Sequence, residues 1–214
     1  MSFLLFIDTS AAHSTLLLLK DDEVVASRKN EQQLNHAQWI HKQLDEILTL
    51  HELTWSDISG VCVLNGPGSY TGLRISLSVA KGICYARELP LILLNKLEVM
   101  YEIALAQTNR ALLCIMKARE DEFFSGYLNL LDDMDYQIMN KLEINEKLTN
   151  DGLILGIEKN QLSDEFDNFV SIELSDLAIS RICFKYFRAG KYADLFNSEP
   201  FYLKNFHFNK INKL

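Results

Sequence analysis

Residues 64–82 read LNGPGSYTGLRISLSVAKG. Three glycines, a proline and the hydroxyls of Ser69 and Thr71 follow an apolar run and open a helical pattern, as a phosphate-binding loop does. Counted from Gly66, however, the spacing is G-x-G-x-x-x-G. A dinucleotide fingerprint needs glycine at the sixth position, where Thr71 stands. A Walker loop needs Gly-Lys-Ser/Thr at its end, and Gly72 is followed by Leu73 and Arg74. What remains is general. Gly66 and Gly68 tolerate backbone angles closed to other residues, Pro67 fixes one φ, and the helix start offers free N–H groups with Arg74 close by. Ser76, Ser78, Ala80 and Gly82 give the helix small residues that allow close approach. The pattern alone favours a sharp strand-to-helix turn over a phosphate site.

Working outward, residues 60–65 (GVCVLN) predict a strand covered on both faces. Upstream, residues 3–7, 14–20 and 24–30 predict three strands joined by the turns DTSAAHS and DDE, an antiparallel meander. Trp39, Ile40, Leu44, Ile47 and Leu48 recur at helical spacing, with Asn35 as the expected cap. Downstream, Pro90 ends the glycine-led helix, LILLN is a strand and residues 96–107 a helix. A second unit starts near Arg110. Its strands are expected at 111–118, 122–131, 135–140, 152–157 and 169–174, with a helix capped by Ser175 and ending at Gly190. No internal repeat is visible in the letters.

The 214 residues carry a formal charge of −8 and are 48% hydrophobic, which suits a folded acidic protein and argues against strong binding of nucleic acid by this chain alone. The basic, aromatic tail at 204–214 could touch RNA, but packing of Phe206 and Phe208 on the body is the expectation. Cys62, Cys84, Cys114 and Cys183 are widely spaced in apolar runs and read as buried thiols in a reducing cytoplasm. The apolar run at the N-terminus breaks at Asp8 and reads as a strand, with no membrane span elsewhere. His36 and His41 sit five apart, about 140° around a helix, where a helical metal pair needs four, so no metal site is expected. Asp8, Thr9 and Ser10 could hold Mg²⁺-nucleotide phosphates, but such a trio more often closes a turn. No nucleophile–base pair suggests a peptidase.

The segments FIDTS, NHAQWIHKQLDEIL and NGPGSYTGLRISLSVAKGICYA together resemble the TsaB (YeaZ) family of tRNA threonylcarbamoyladenosine biosynthesis proteins. MKAREDEFFSGYL and EPFYLK extend the likeness, with Lys117 where the family usually has Asp. The resemblance implies an α/β, actin-like and sugar-kinase-like (ribonuclease H-like) duplicated fold, with an N-terminal lobe at 1–106 and a reduced C-terminal lobe at 107–214. It implies a non-catalytic scaffold for TsaD, the subunit that threonylcarbamoylates the adenosine 3′ of the anticodon in tRNAs reading ANN codons. TsaE would join through the complex, TsaC or a relative would supply the activated group, and tRNA would be met indirectly. The helices at 35–50 and 70–87 would form the interface, through His36, Trp39, Ile40, Leu73, Ile75, Ser76, Leu77 and Ala80, and would support a homodimer in the absence of TsaD. No cofactor would be tightly bound. ATP or ADP would be met only at the assembled complex, near Asp8, Thr9, Ser10, Gly66, Gly68 and Arg74. The alternative is a small actin-fold ATPase or kinase acting on its own through Asp8, Thr9, Ser10 and the loop Gly66–Gly72.

Overall fold

The computed structural model describes residues 2–30, 35–128, 133–148, 152–157 and 162–203. Two five-stranded sheets carry the chain. The first has β1 (Phe3–Asp8), β2 (Ser14–Lys20), β3 (Glu23–Asn30), β4 (Ile58–Gly66) and β5 (Leu91–Asn95), in the order β3-β2-β1-β4-β5. The second has β6 (Leu112–Lys117), β7 (Glu122–Leu128), β8 (Met134–Asn140), β9 (Leu153–Gly156) and β10 (Phe169–Ser171), in the order β10-β9-β6-β7-β8. In each, the first three strands in chain order pair antiparallel and the next two join in parallel. The two sheets therefore share one topology, and the duplication invisible in the letters is plain in the backbone. The second copy is reduced: β9 has 4 residues against 9 in β4, and β10 has 3 against 5 in β5.

Five helices complete the described fold: α1 (His36–Leu50), α2 (Tyr70–Arg87), α3 (Lys96–Leu105), α4 (Lys141–Lys147) and α5 (Asp176–Arg188). Strand alternation divides the first sheet between two cores. Leu5, Ile7, Leu16, Leu18, Val61 and Val63 face α1 and α2. Leu4, Phe6, Leu17, Leu19, Cys62 and Leu64 face the opposite side, where Ile179, Ile182, Cys183 and Phe184 of α5 cover them. The apolar runs of β1 and β2 thus have a helix layer on each face.

The packing of helices on the sheets crosses the chain position 106/107. Leu97, Met100 and Ala104 of α3 pack with Leu112, Cys114 and Met116 of the second sheet. Helix α5, from the second half, returns to the first sheet. Helix α3 serves both sheets, with Val99 in the core of the first and Leu97, Met100 and Ala104 in the core of the second.

Two local expectations are corrected. Asn35 precedes α1 in the left-handed conformation, φ 66°, and its side chain makes no capping hydrogen bond. Helix α4 follows the strand at 135–140, where no element is predicted from the sequence, and Asn140 and Glu143 form its capping box, visible in the sequence as N-x-x-E. Ser175 and Gly190 stand where the sequence places them, Ser175 Oγ accepting from Ala178 N and Gly190 at φ +64°. The tail at 204–214 and residues 129–131 of the second predicted strand of that unit lie outside the described residues.

Candidate partner interface

Helix α2 starts with its first turn pressed against the β1–β2 turn. A Cβ on Gly72 would lie 1.9 Å from the Thr9 carbonyl oxygen, so only glycine permits the approach. Gly68 lies against Ser10 in the same way, and Gly66 has φ +133° and meets the Phe201 carbonyl. The polar groups of the turn are spent on this contact. Ser69 N donates to Ser10 O (2.9 Å), Gly72 N to Ser69 Oγ (3.3 Å) and Ser76 N to Thr9 Oγ1 (3.1 Å). Thr9 Oγ1 donates to Gly72 O (2.5 Å), and Asp8 Oδ1 accepts from both Ser10 N (2.7 Å) and Ser10 Oγ (2.6 Å). Arg74 is engaged as well: its Nε donates to Tyr202 OH (3.2 Å) and its guanidinium lies 4.3 Å over the Tyr70 ring. The six residues singled out for nucleotide contact do come together, apart from Arg74 on the outer flank. Each is committed to a contact inside the chain.

At 100° per residue, α2 has three flanks. Leu73, Ser76, Leu77, Ala80 and Cys84 form the stripe that is buried against the chain's own sheet. Tyr70, Arg74, Lys81 and Tyr85 form a second flank, about 100° further round. A strap of residues 193–203 lies along it. Lys81 Nζ donates to Phe196 O (3.0 Å) and Ser198 O (3.1 Å), Tyr85 meets Phe196 edge-on, and Tyr70 stacks on Tyr202 with ring centres 5.2 Å apart. The strap ends with Phe201 N donating to Asn65 O (2.7 Å), beside Gly66.

The third flank is open. Ser78, Gly82 and Ala86 recur every four residues, beside Val79 and Ile83. With His41 of α1, Trp55 and Arg87 they line a groove of about 420 Å³. A Cβ on Gly82 would meet nothing within 4 Å. Arg87 lies 5.8 Å over the Trp55 ring at the groove's end.

This geometry corrects the expected interface. Ile40, Leu73, Ser76, Leu77 and Ala80 are buried in the core and present nothing outward. The apolar period that suggested a partner face is the period with which the helices pack on their own sheet. Ile75 is half-buried on the open flank, and Trp39 is half-buried against the core. His36 Nδ1 shares a 2.5 Å hydrogen bond with Ser14 Oγ. Ser14 has no exposed surface, so this Ser–His contact offers no nucleophile to a substrate. Sequence reasoning missed His41 and Trp55, although Ser78-x-x-x-Gly82-x-x-x-Ala86 is legible once the buried stripe is set aside. It also missed Lys96, for which no local signal exists. Lys117 covers the Phe123 ring and reaches Glu165 at 3.9 Å. Among the described residues no group of three or more His, Cys, Asp or Glu side chains is placed to hold a metal ion, and no helix is long and apolar enough to cross a membrane.

Two sheets of one repeated topology, helices between and outside them and a polar turn at the end of β1 define the actin-like, ribonuclease H-like class. A crystal structure from Pseudomonas aeruginosa, described as an uncharacterized protein with similarity to peptidase YeaZ, has this fold. It superposes with a TM-score of 0.71 at 20% identity, over 95% of this chain and 100% of that one. The family model of TsaD, tRNA N6-adenosine threonylcarbamoyltransferase, matches residues 23–195. The chain belongs to that family, and several of the curated proteins it resembles are TsaB proteins. It is 31% identical to the tRNA threonylcarbamoyladenosine biosynthesis protein TsaB of Bacillus subtilis over 97 residues, 45% of this chain and 42% of that protein. It is 40% identical to the tRNA N6-adenosine threonylcarbamoyltransferase of Geobacter sulfurreducens over 74 residues, 35% of this chain and 20% of that protein. The chain spans about half the length of the TsaB relatives it matches.

Proposed function

We propose that this chain is a non-catalytic subunit in the synthesis of threonylcarbamoyladenosine in tRNA, and that it supports the TsaD transferase by docking the open flank of α2 and the adjoining turn of α1 against it. The observation that carries this reading is the groove of about 420 Å³ floored by Ser78, Gly82 and Ala86. Small residues every four positions let a second helix approach closely, and Val79, Ile83 and Trp55 supply apolar contact at the sides. A partner of related sequence fits because TsaD-type relatives match the same chain.

The catalytic chemistry then belongs to the partner. TsaE joins through that complex, TsaC or a relative delivers the activated threonylcarbamoyl group, and the work is cytoplasmic. A charge of −8 keeps the contact with tRNA indirect. Any ATP or ADP at the assembled complex would draw its ligands chiefly from the partner, since Asp8, Thr9, Ser10 and Arg74 are already engaged. Without TsaD the same groove would pair two copies of this chain.

Gly82→Glu tests the docking face. The site is open, so the variant is expected to fold and to lose co-purification with TsaD. Undiminished capture would move the interface elsewhere. Calorimetry of the isolated chain with Mg-ATP addresses the alternative of an independent ATPase or kinase. Micromolar binding with turnover would replace the scaffold reading.

A further inference from the structure

Lys96 is the first residue of α3 and is 3% exposed. That is the wrong charge for a helix start, where the macrodipole is already positive, and a buried ammonium is costly unless it is compensated. The compensation runs through one hydroxyl. Lys96 Nζ donates to Ser10 Oγ at 3.1 Å, and Ser10 Oγ donates to Asp8 Oδ1 at 2.6 Å. Asp8 is 7% exposed and Ser10 4%. The ammonium, the hydroxyl and the carboxylate therefore form one buried chain that joins α3 to the end of β1. Ser10 O and Thr9 Oγ1 extend it to Ser69 N and Ser76 N at the start of α2.

We infer that the Lys96 ammonium is the resident cation of the β1–β2 turn. It offsets the Asp8 charge from inside the fold, through the Ser10 hydroxyl that both groups share, and so fixes the turn against the start of α2. Lys96 acts through Ser10 and Asp8 and is a positioning residue. The inference concerns the isolated chain and stands whether or not α2 docks TsaD.

A thermodynamic cycle of Lys96→Met, Asp8→Asn and the double variant, made in the full chain, tests it. Lys96→Met strands the Asp8 carboxylate and is expected to lower Tm by about 10 °C. Asp8→Asn/Lys96→Met removes both charges together and is expected to recover at least half of that loss. The double variant also decides the matter if Lys96→Met alone does not fold. Lys96→Ala, which leaves room for a small cation, is expected to gain Tm in methylammonium chloride relative to sodium chloride at equal ionic strength, whereas the wild-type chain gains none. Additive losses in the cycle would overturn the inference, and so would a Lys96→Ala protein no more responsive to methylammonium than the wild type.

Discussion

Two glycines on one helix have opposite reasons to be there. Gly72 stands where a Cβ would meet the Thr9 carbonyl at 1.9 Å, whereas a Cβ on Gly82 would touch nothing within 4 Å. Gly72→Ala must push β1 and α2 apart and is expected to cost roughly 3 kcal/mol or more. Gly82→Ala only removes the backbone freedom of the unfolded chain and is expected to stabilise by about 0.5–1 kcal/mol. Urea midpoints of the two variants check the pair, and equal shifts would show the packing to be misread. The letters distinguish these residues poorly, since both follow small or polar neighbours in one helical pattern. Only the depth of each position separates them.

At the scale of elements, α2 is a helix with a core flank, a strapped flank and an open flank. The strap arrives from 128 residues away in sequence at the Arg74–Tyr202 contact, so no local window could report it. It ties down Arg74 and Tyr70 and passes Phe201 over Gly66. Tyr202→Ala removes the ring stack and the hydrogen bond to Arg74, both largely exposed, and is expected to cost about 1 kcal/mol. Because the strap and the groove lie roughly 120° apart around the helix, that variant should retain TsaD capture. Loss of capture without loss of stability would place the strap in the interface. The elements themselves were legible. Short apolar runs bounded by turn residues, and stripes of period 3.6, mark the ten described strands and four of the five described α-helices, because run length and period follow from backbone geometry. The face a stripe serves was not legible. An apolar stripe looks the same whether it is covered by the chain's own sheet or by another protein.

For the whole molecule, the joint between the sheets is held by Glu98 of α3. It accepts hydrogen bonds from Tyr136 of β8 and, at 3.0 Å, from Tyr186 of α5. Burial and then the Glu98 contact push both phenols up. Glu98→Ala leaves two half-buried hydroxyls without their acceptor and is expected to cost about 2 kcal/mol, measured as a fall in Tm. A shift within error would mean that apolar packing alone sets the joint. The core also predicts an alkaline limit. Burial lifts the Cys84 thiol from the ordinary 9.0 to about 12, with Cys62 nearby as a smaller cause. The folded chain keeps that proton while the unfolded chain releases it above pH 9. The stability this gives is whole below pH 9 and is lost as pH rises toward 12. Urea midpoints followed from pH 8 to 11 should fall, and fall less steeply in Cys84→Ala. The sequence alone determined the strand meander, the helix order, the family likeness and the failure of both phosphate-loop templates, because each rests on periodicity or on a local motif. Tertiary structure decided which helix each lobe borrows, that the glycine turn is filled by Thr9, Ser10 and Phe201, and that the open face of α2 is Ser78, Gly82 and Ala86 and not Leu73, Leu77 and Ala80. Those outcomes depend on contacts between residues far apart in the chain, and such contacts leave no trace in the spacing of either partner.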